Sequence, residues 1–104
     1  MIIVNTDFVP KREIQETLGL VRGNTIRAKH IGKDIVSGFR HIAGGELKEY
    51  TEMLSEAREI AVQRMTQKAE ELKADAIINV RFMTAGIMGG AAEMLAYGTA
   101  VKLK

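Results

Sequence analysis

The hydrophobic pattern changes period three times along the chain. A short β-branched run, Ile2-Ile3-Val4, stops at Asn5-Thr6-Asp7 and predicts a brief strand followed by a turn. Pro10 fixes φ and lacks an N–H, so no central strand runs through it. From Glu13 the period is two, with Ile14, Glu16, Leu18 and Leu20 on one side and Gln15, Thr17, Gly19 and Val21 on the other. After Gly23-Asn24 the alternation resumes from Thr25 to His30, with Ile26 and Ala28 expected inward and Arg27 and Lys29 outward. Gly23-Asn24 reads as a bulge in one long strand or a turn between two short ones; each piece alone is short, which favours the bulge.

The period then lengthens. Ile35, Phe39 and Ile42, with Val36 and Ala43 beside them, recur at helical spacing and predict a short helix over 32–43, stopped by Gly44-Gly45. Leu47, Tyr50, Leu54, Ala57, Ala61, Met65 and Leu72, flanked by Met53 and Ile60, mark a longer helix over 46–73. Glu46, Glu49 and Glu52 near its start and Lys68 and Lys73 near its end suit the helix dipole. A helix of that length spans about 42 Å at 1.5 Å per residue, more than a small domain is wide. The chain closes with two strands, 76–83 and 94–103, around a loop at 85–92 that is apolar for a solvated turn. In the last strand Leu95, Tyr97, Thr99, Val101 and Leu103 share a face; Ala96, Gly98, Ala100 and Lys102 share the other, where the small residues predict a closely packed helix.

The order is β, β, α, α, hairpin. It predicts an α+β domain over residues 1–104, with a mainly antiparallel sheet packed by a long helix and a shorter one. At 104 residues the chain builds one core, and its 46% hydrophobic content excludes a disordered chain. No apolar run approaches the roughly 20 residues that span a bilayer, and the first residues lack a basic signal-peptide start. With no cysteine there is neither a disulfide nor a thiolate ligand, and a cytoplasmic protein is expected. The net charge is +2, residues 1–45 carrying +3 and residues 46–104 carrying −1, without a block of like charges. Clustered cations and exposed aromatics mark nucleic-acid surfaces, so no nucleic-acid partner is expected here, and no membrane partner.

Four segments in this order, Leu18-Gly-Leu-Val-Arg-Gly23, Gly44-Gly-Glu-Leu47, Ala74-Asp-Ala-Ile-Ile78 and Ala96-Tyr-Gly-Thr-Ala-Val101, resemble the YbjQ family of uncharacterised small prokaryotic proteins, labelled heavy-metal-binding. The resemblance spans nearly the whole chain. It implies a dodecin-like subunit assembling into a homo-oligomeric ring, a pentamer, and it implies no established activity. Lys73 stands where related sequences tend to carry glycine; a left-handed lysine there would cost on the order of 1 kcal/mol relative to glycine.

The metal label requires ligands that this chain supplies sparingly. Soft metals prefer thiolate, which is absent. The weak candidates are His30, Asp34, His41 and Glu46, a mixed N/O set without a recognised ligand spacing. The simpler reading puts His41 on an exposed helix face and His30 at a strand end. Met83, Met88 and Met94 around the apolar loop could hold Cu(I) as thioethers, but methionine more commonly fills gaps. Gly44-Gly45 precedes a helix start whose Glu46 and Glu49 would repel a phosphate. Ser37 and His41 lie four apart on one predicted helix without an oxyanion-hole element, Ser55 has no histidine at helical spacing, and Glu70-Glu71 reads as a solvated face. No catalytic residue and no cofactor is therefore assigned, and the expected protein is a non-enzymatic, self-assembling subunit. The rival is a metal- or small-ligand-binding protein whose pocket forms between subunits near His30, Asp34 and His41; a third reading is a hydrolase using Ser37 and His41.

Overall fold

A computed structural model describes residues 1–28, 48–87 and 89–104. Their elements are β1 (Ile2–Ile3), β2 (Ile14–Ala28), α1 (Lys48–Glu71), β3 (Ala76–Ile87) and β4 (Ala91–Leu103). They form an α+β fold in which α1 packs on a four-stranded mixed sheet of order β1-β3-β4-β2. The β3–β4 and β4–β2 pairs are antiparallel and β1 lies parallel to β3. The helix predicted over 32–43 lies outside the described residues.

α1 is 24 residues long, about 36 Å, and buries Met53, Ala57, Ala61, Met65 and Ala69. The stripe runs at i, i+4 through three alanines, which lets the helix backbone approach the sheet closely. Leu72, expected in that stripe, lies beyond the last helical residue and is exposed, and Ala69 takes its place. Against the stripe pack Val21, Ile77, Val80, Met94, Ala96 and Ala100.

β2 is one strand, as preferred, but the bulge is not at Gly23-Asn24. Gly23 pairs Ala96 and Asn24 pairs Leu95 without interruption, while the register shifts fall between Ile14 and Glu16 and between Thr17 and Gly19. Gly23 answers to the helix instead. A Cβ there would overlap Ala61 O and Met65 N and lie 2.8 Å from the Arg64 carbonyl carbon. With no bulge to reset the phase, Val21, Gly23 and Thr25 are buried under α1, and Ile26 and Ala28 point away from it. The inward assignment of Ile26 and Ala28 is therefore reversed.

The irregularity in β3 lies between Ile78 and Arg81, where Asn79 adopts φ 54°. The Asn79 and Val80 amides donate to the carbonyls of Thr6 and Val4 at 2.8 and 3.0 Å. These bonds tie residues 4–6 to the β3 edge just past β1. The extra residue crowds Gly98, where a Cβ would meet Ile77 Cγ2 at 2.8 Å and Ile78 O at 2.9 Å. Gly98 thus makes room for the bulge, whereas Ala96 and Ala100 face the helix as expected.

The hairpin is longer than its sequence suggests. Residues 85–87 and 91–92, read as loop, continue the two strands up to a turn at Gly89-Gly90. Each face of the sheet is covered differently. Val4 and Val9 close a second small core with Ala76, Ile78, Val101 and Leu103 on the face away from α1. Farther along that face, toward the hairpin tip, Leu20 is 69% exposed, Ile26 59%, Met83 56% and Ile87 42%.

Candidate functional site

His30, Asp34, Ser37, His41, Gly44-Gly45, Glu46 and Met88 all lie outside the described residues, and with them the predicted metal set and the Ser37/His41 pair. Among the described residues no group of three or more His, Asp or Glu side chains gathers as a metal site. Met83 and Met94 do not cluster. Met83 pairs Leu95 on the bare face, while Met94 is buried beneath α1 and its sulfur accepts a 3.4 Å bond from Thr84 Oγ1. Within the described residues the donor set therefore does not fit a soft metal ion. Ser55 Oγ accepts a bond from Arg58 at 3.1 Å, and Glu70 and Glu71 are exposed.

Concavities open beside the helix among the described residues. One, of about 900 Å³, follows the β1–β3 edge and is lined by Ile3, Val4, Asn5, Thr6, Phe8, Pro10, Val62, Val80, Arg81 and Phe82. Arg81 supplies its single charge, and its Nη1 donates to the carbonyls of Asn5 at 2.9 Å and Val80 at 3.0 Å. Those bonds hold the N-terminal segment on the strand. Thr6 Oγ1 donates to Phe8 O at 2.7 Å, which closes the local turn. The second, of about 350 Å³, lies between the end of β2 and the start of α1. Glu49, Glu52 and Glu56 line it, with Glu56 paired to Arg27. Among the described residues neither lining contains a histidine or serine, so these residues supply no nucleophile with a base to activate it.

The structure instead brings together a surface of which the sequence marks only the apolar hairpin with Ile87. Leu20, Ile26, Met83 and Ile87 share the sheet face away from α1, and Phe82 is 48% exposed where the β3 edge opens. Their signal was present: β2 and the end of β3 are apolar at positions belonging to both faces. Periodicity does not tell which of those faces a helix will cover.

The family described as "Putative heavy-metal-binding", YbjQ, matches residues 1–104. A UPF0145 protein of Methanosarcina acetivorans is 61% identical over 99% of this chain and 97% of its own length. One from Archaeoglobus fulgidus is 59% identical over the whole chain and 96% of its own length. Among solved structures, a protein of unknown function from Pediococcus pentosaceus, of the DUF74 family, superposes with a TM-score of 0.61 at 17% identity, covering 100% of this chain and 98% of that one. That likeness supports the fold alone.

Proposed function

Given that the chain belongs to the YbjQ family, whose UPF0145 relatives carry no assigned function, we propose that it is a non-enzymatic subunit of a homo-oligomeric ring. One observation carries this reading: among the described residues, the distal face of the sheet is bare. Leu20, Ile26, Met83 and Ile87 are each 42% exposed or more on one face of one sheet. Arg22, Arg81 and the Asn24–Glu93 pair interrupt these side chains, but a soluble monomer seldom leaves four large apolar residues in water on one sheet face, and a second copy of the chain removes them. A ring needs one kind of contact repeated, with two different patches of each subunit meeting. The pentameric count and the dodecin-like character come from the family resemblance and belong to the same proposal.

The test is sedimentation velocity at micromolar concentration. Wild-type protein is expected well above the 11.5 kDa of one chain. Ile26→Glu combined with Met83→Glu is expected to reduce it to monomer or render it insoluble, while Glu70→Gln leaves it unchanged. A wild-type monomer would refute the proposal. The rival, a ligand pocket between subunits at His30, Asp34 and His41, rests on residues outside the described ones.

A further inference from the structure

Resting on that self-assembly, we infer that residues 22–28 of β2 in one subunit pair with residues 81–87 of β3 in the next, extending one sheet across the contact. The sheet order β1-β3-β4-β2 leaves two edges. Among the described residues both are protected near the N-terminal segment and bare beyond it. On the β3 edge, β1 and residues 4–6 bond the strand as far as Val80, and no described strand follows them. On the β2 edge, the two register shifts and Gly19, at φ 127°, distort residues 14–19, and the strand then runs regularly to Ala28. A bulge or a covering strand is how a protein blunts an edge; a regular edge without lysine or proline invites another strand. Neither 22–28 nor 81–87 contains a lysine or a proline, and of their three arginines Arg27 is paired to Glu56 and Arg81 is held by the Asn5 and Val80 carbonyls.

The two bare stretches match in length and in height. Through β4, Arg22 is level with Arg81 across Tyr97, Asn24 with Met83 across Leu95, Ile26 with Ala85 across Glu93, and Ala28 with Ile87 across Ala91. β2 and β3 each run antiparallel to β4, so they point the same way. A rotation about an axis along the strands preserves that direction and height, and so brings the bare part of one edge against the bare part of the other. Strand tilt on closure slides this register along the strand. The β3 edge already takes a parallel partner in β1. Pairing β2 with β2 would leave both β3 edges bare; pairing β2 with β3 covers both edges with one repeated contact.

The chain has no cysteine, which makes cross-linking clean. Ile26→Cys and Met83→Cys, both exposed, are made separately, co-expressed, and treated with a bismaleimide of about 8 Å reach, the diagonal spacing of neighbouring strands. The expected product is a dimer linked between 26 and 83, found only in the mixture and absent from either variant alone. In wild-type protein every amide of 22–28 should resist hydrogen exchange, including the alternate ones that face away from β4. Dimers linked 26–26 or 83–83, or no cross-link together with fast exchange of those alternate amides, in a protein that still sediments as an oligomer, overturn the edge pairing and leave self-assembly standing. A monomer overturns both.

Discussion

Gly23 shows how much one missing methyl can decide. The backbone of α1 at Ala61 and Met65 occupies the space where its Cβ would stand, and backbone cannot swing aside as a side chain can. Gly23→Ala should therefore lift the helix from β2 and cost about 3 kcal/mol, the upper end of overpacking effects. Urea unfolding at one fixed protein concentration measures it; a loss under about 0.5 kcal/mol, the size of an ordinary surface change, would mean the helix tolerates the shift. Donor chemistry is decided just as locally. With no thiolate and two imidazoles, the chain should show no submicromolar site for zinc, copper or nickel at neutral pH by isothermal titration. A submicromolar site abolished by His30→Ala or His41→Ala would restore the metal reading.

Between α1 and β3 the chain reverses in four residues. Lys73 donates its amide to Glu70 O at 2.9 Å and Ala74 to Ala69 O at 3.0 Å, a helix end closed with Lys73 at φ 61°. The family resemblance marked Lys73 as a departure from glycine, and the lysine does take the left-handed conformation. Asp75 then anchors the strands: its amide donates to Val101 O at 2.9 Å, and its Oδ2 accepts the Leu103 amide at 2.8 Å. Glycine at 73 relieves a left-handed cost of roughly 1–2 kcal/mol but adds freedom to the unfolded chain worth about 0.5–1 kcal/mol. Lys73→Gly should thus stabilise the protein by up to about 1.5 kcal/mol, read as a raised denaturation midpoint with an unchanged slope. A lowered midpoint would show that the lysine side chain contributes more than its backbone costs.

The described residues form an elongated body, 55 × 24 × 16 Å, with a radius of gyration of 17.4 Å. A compact chain of this length would have about 13 Å. An elongated shape exposes more surface per residue, and the distal hairpin has α1 on one face and the bare apolar patch on the other. If neighbours cover that patch, folding and assembly are linked, and the melting temperature should rise with protein concentration. Melts recorded over a hundredfold dilution check this; one unchanging midpoint, together with a monomeric mass, would place the apolar face in water as part of a stable monomer.

Periodicity and small local signals located β2, α1 and the closing hairpin, because strand and helix spacing are properties of neighbours along the chain. They also marked Gly23 and Gly98 as unusual positions, and the family resemblance marked Lys73. What each was for required the fold: Gly23 yields to a helix whose packing residues lie about forty positions away, and Gly98 to a bulge in the adjacent strand. The same limit explains Ile26, which pattern alone turned inward. A strand's two faces are interchangeable until a helix settles on one, and the uninterrupted register at Gly23 put Val21 and Thr25 beneath α1 and Ile26 on the bare side. The absence of thiolate chemistry follows from composition by itself. The exposed apolar face and the two open edges were decided only when distant segments met, because exposure and pairing belong to the assembled sheet and to no single stretch of sequence.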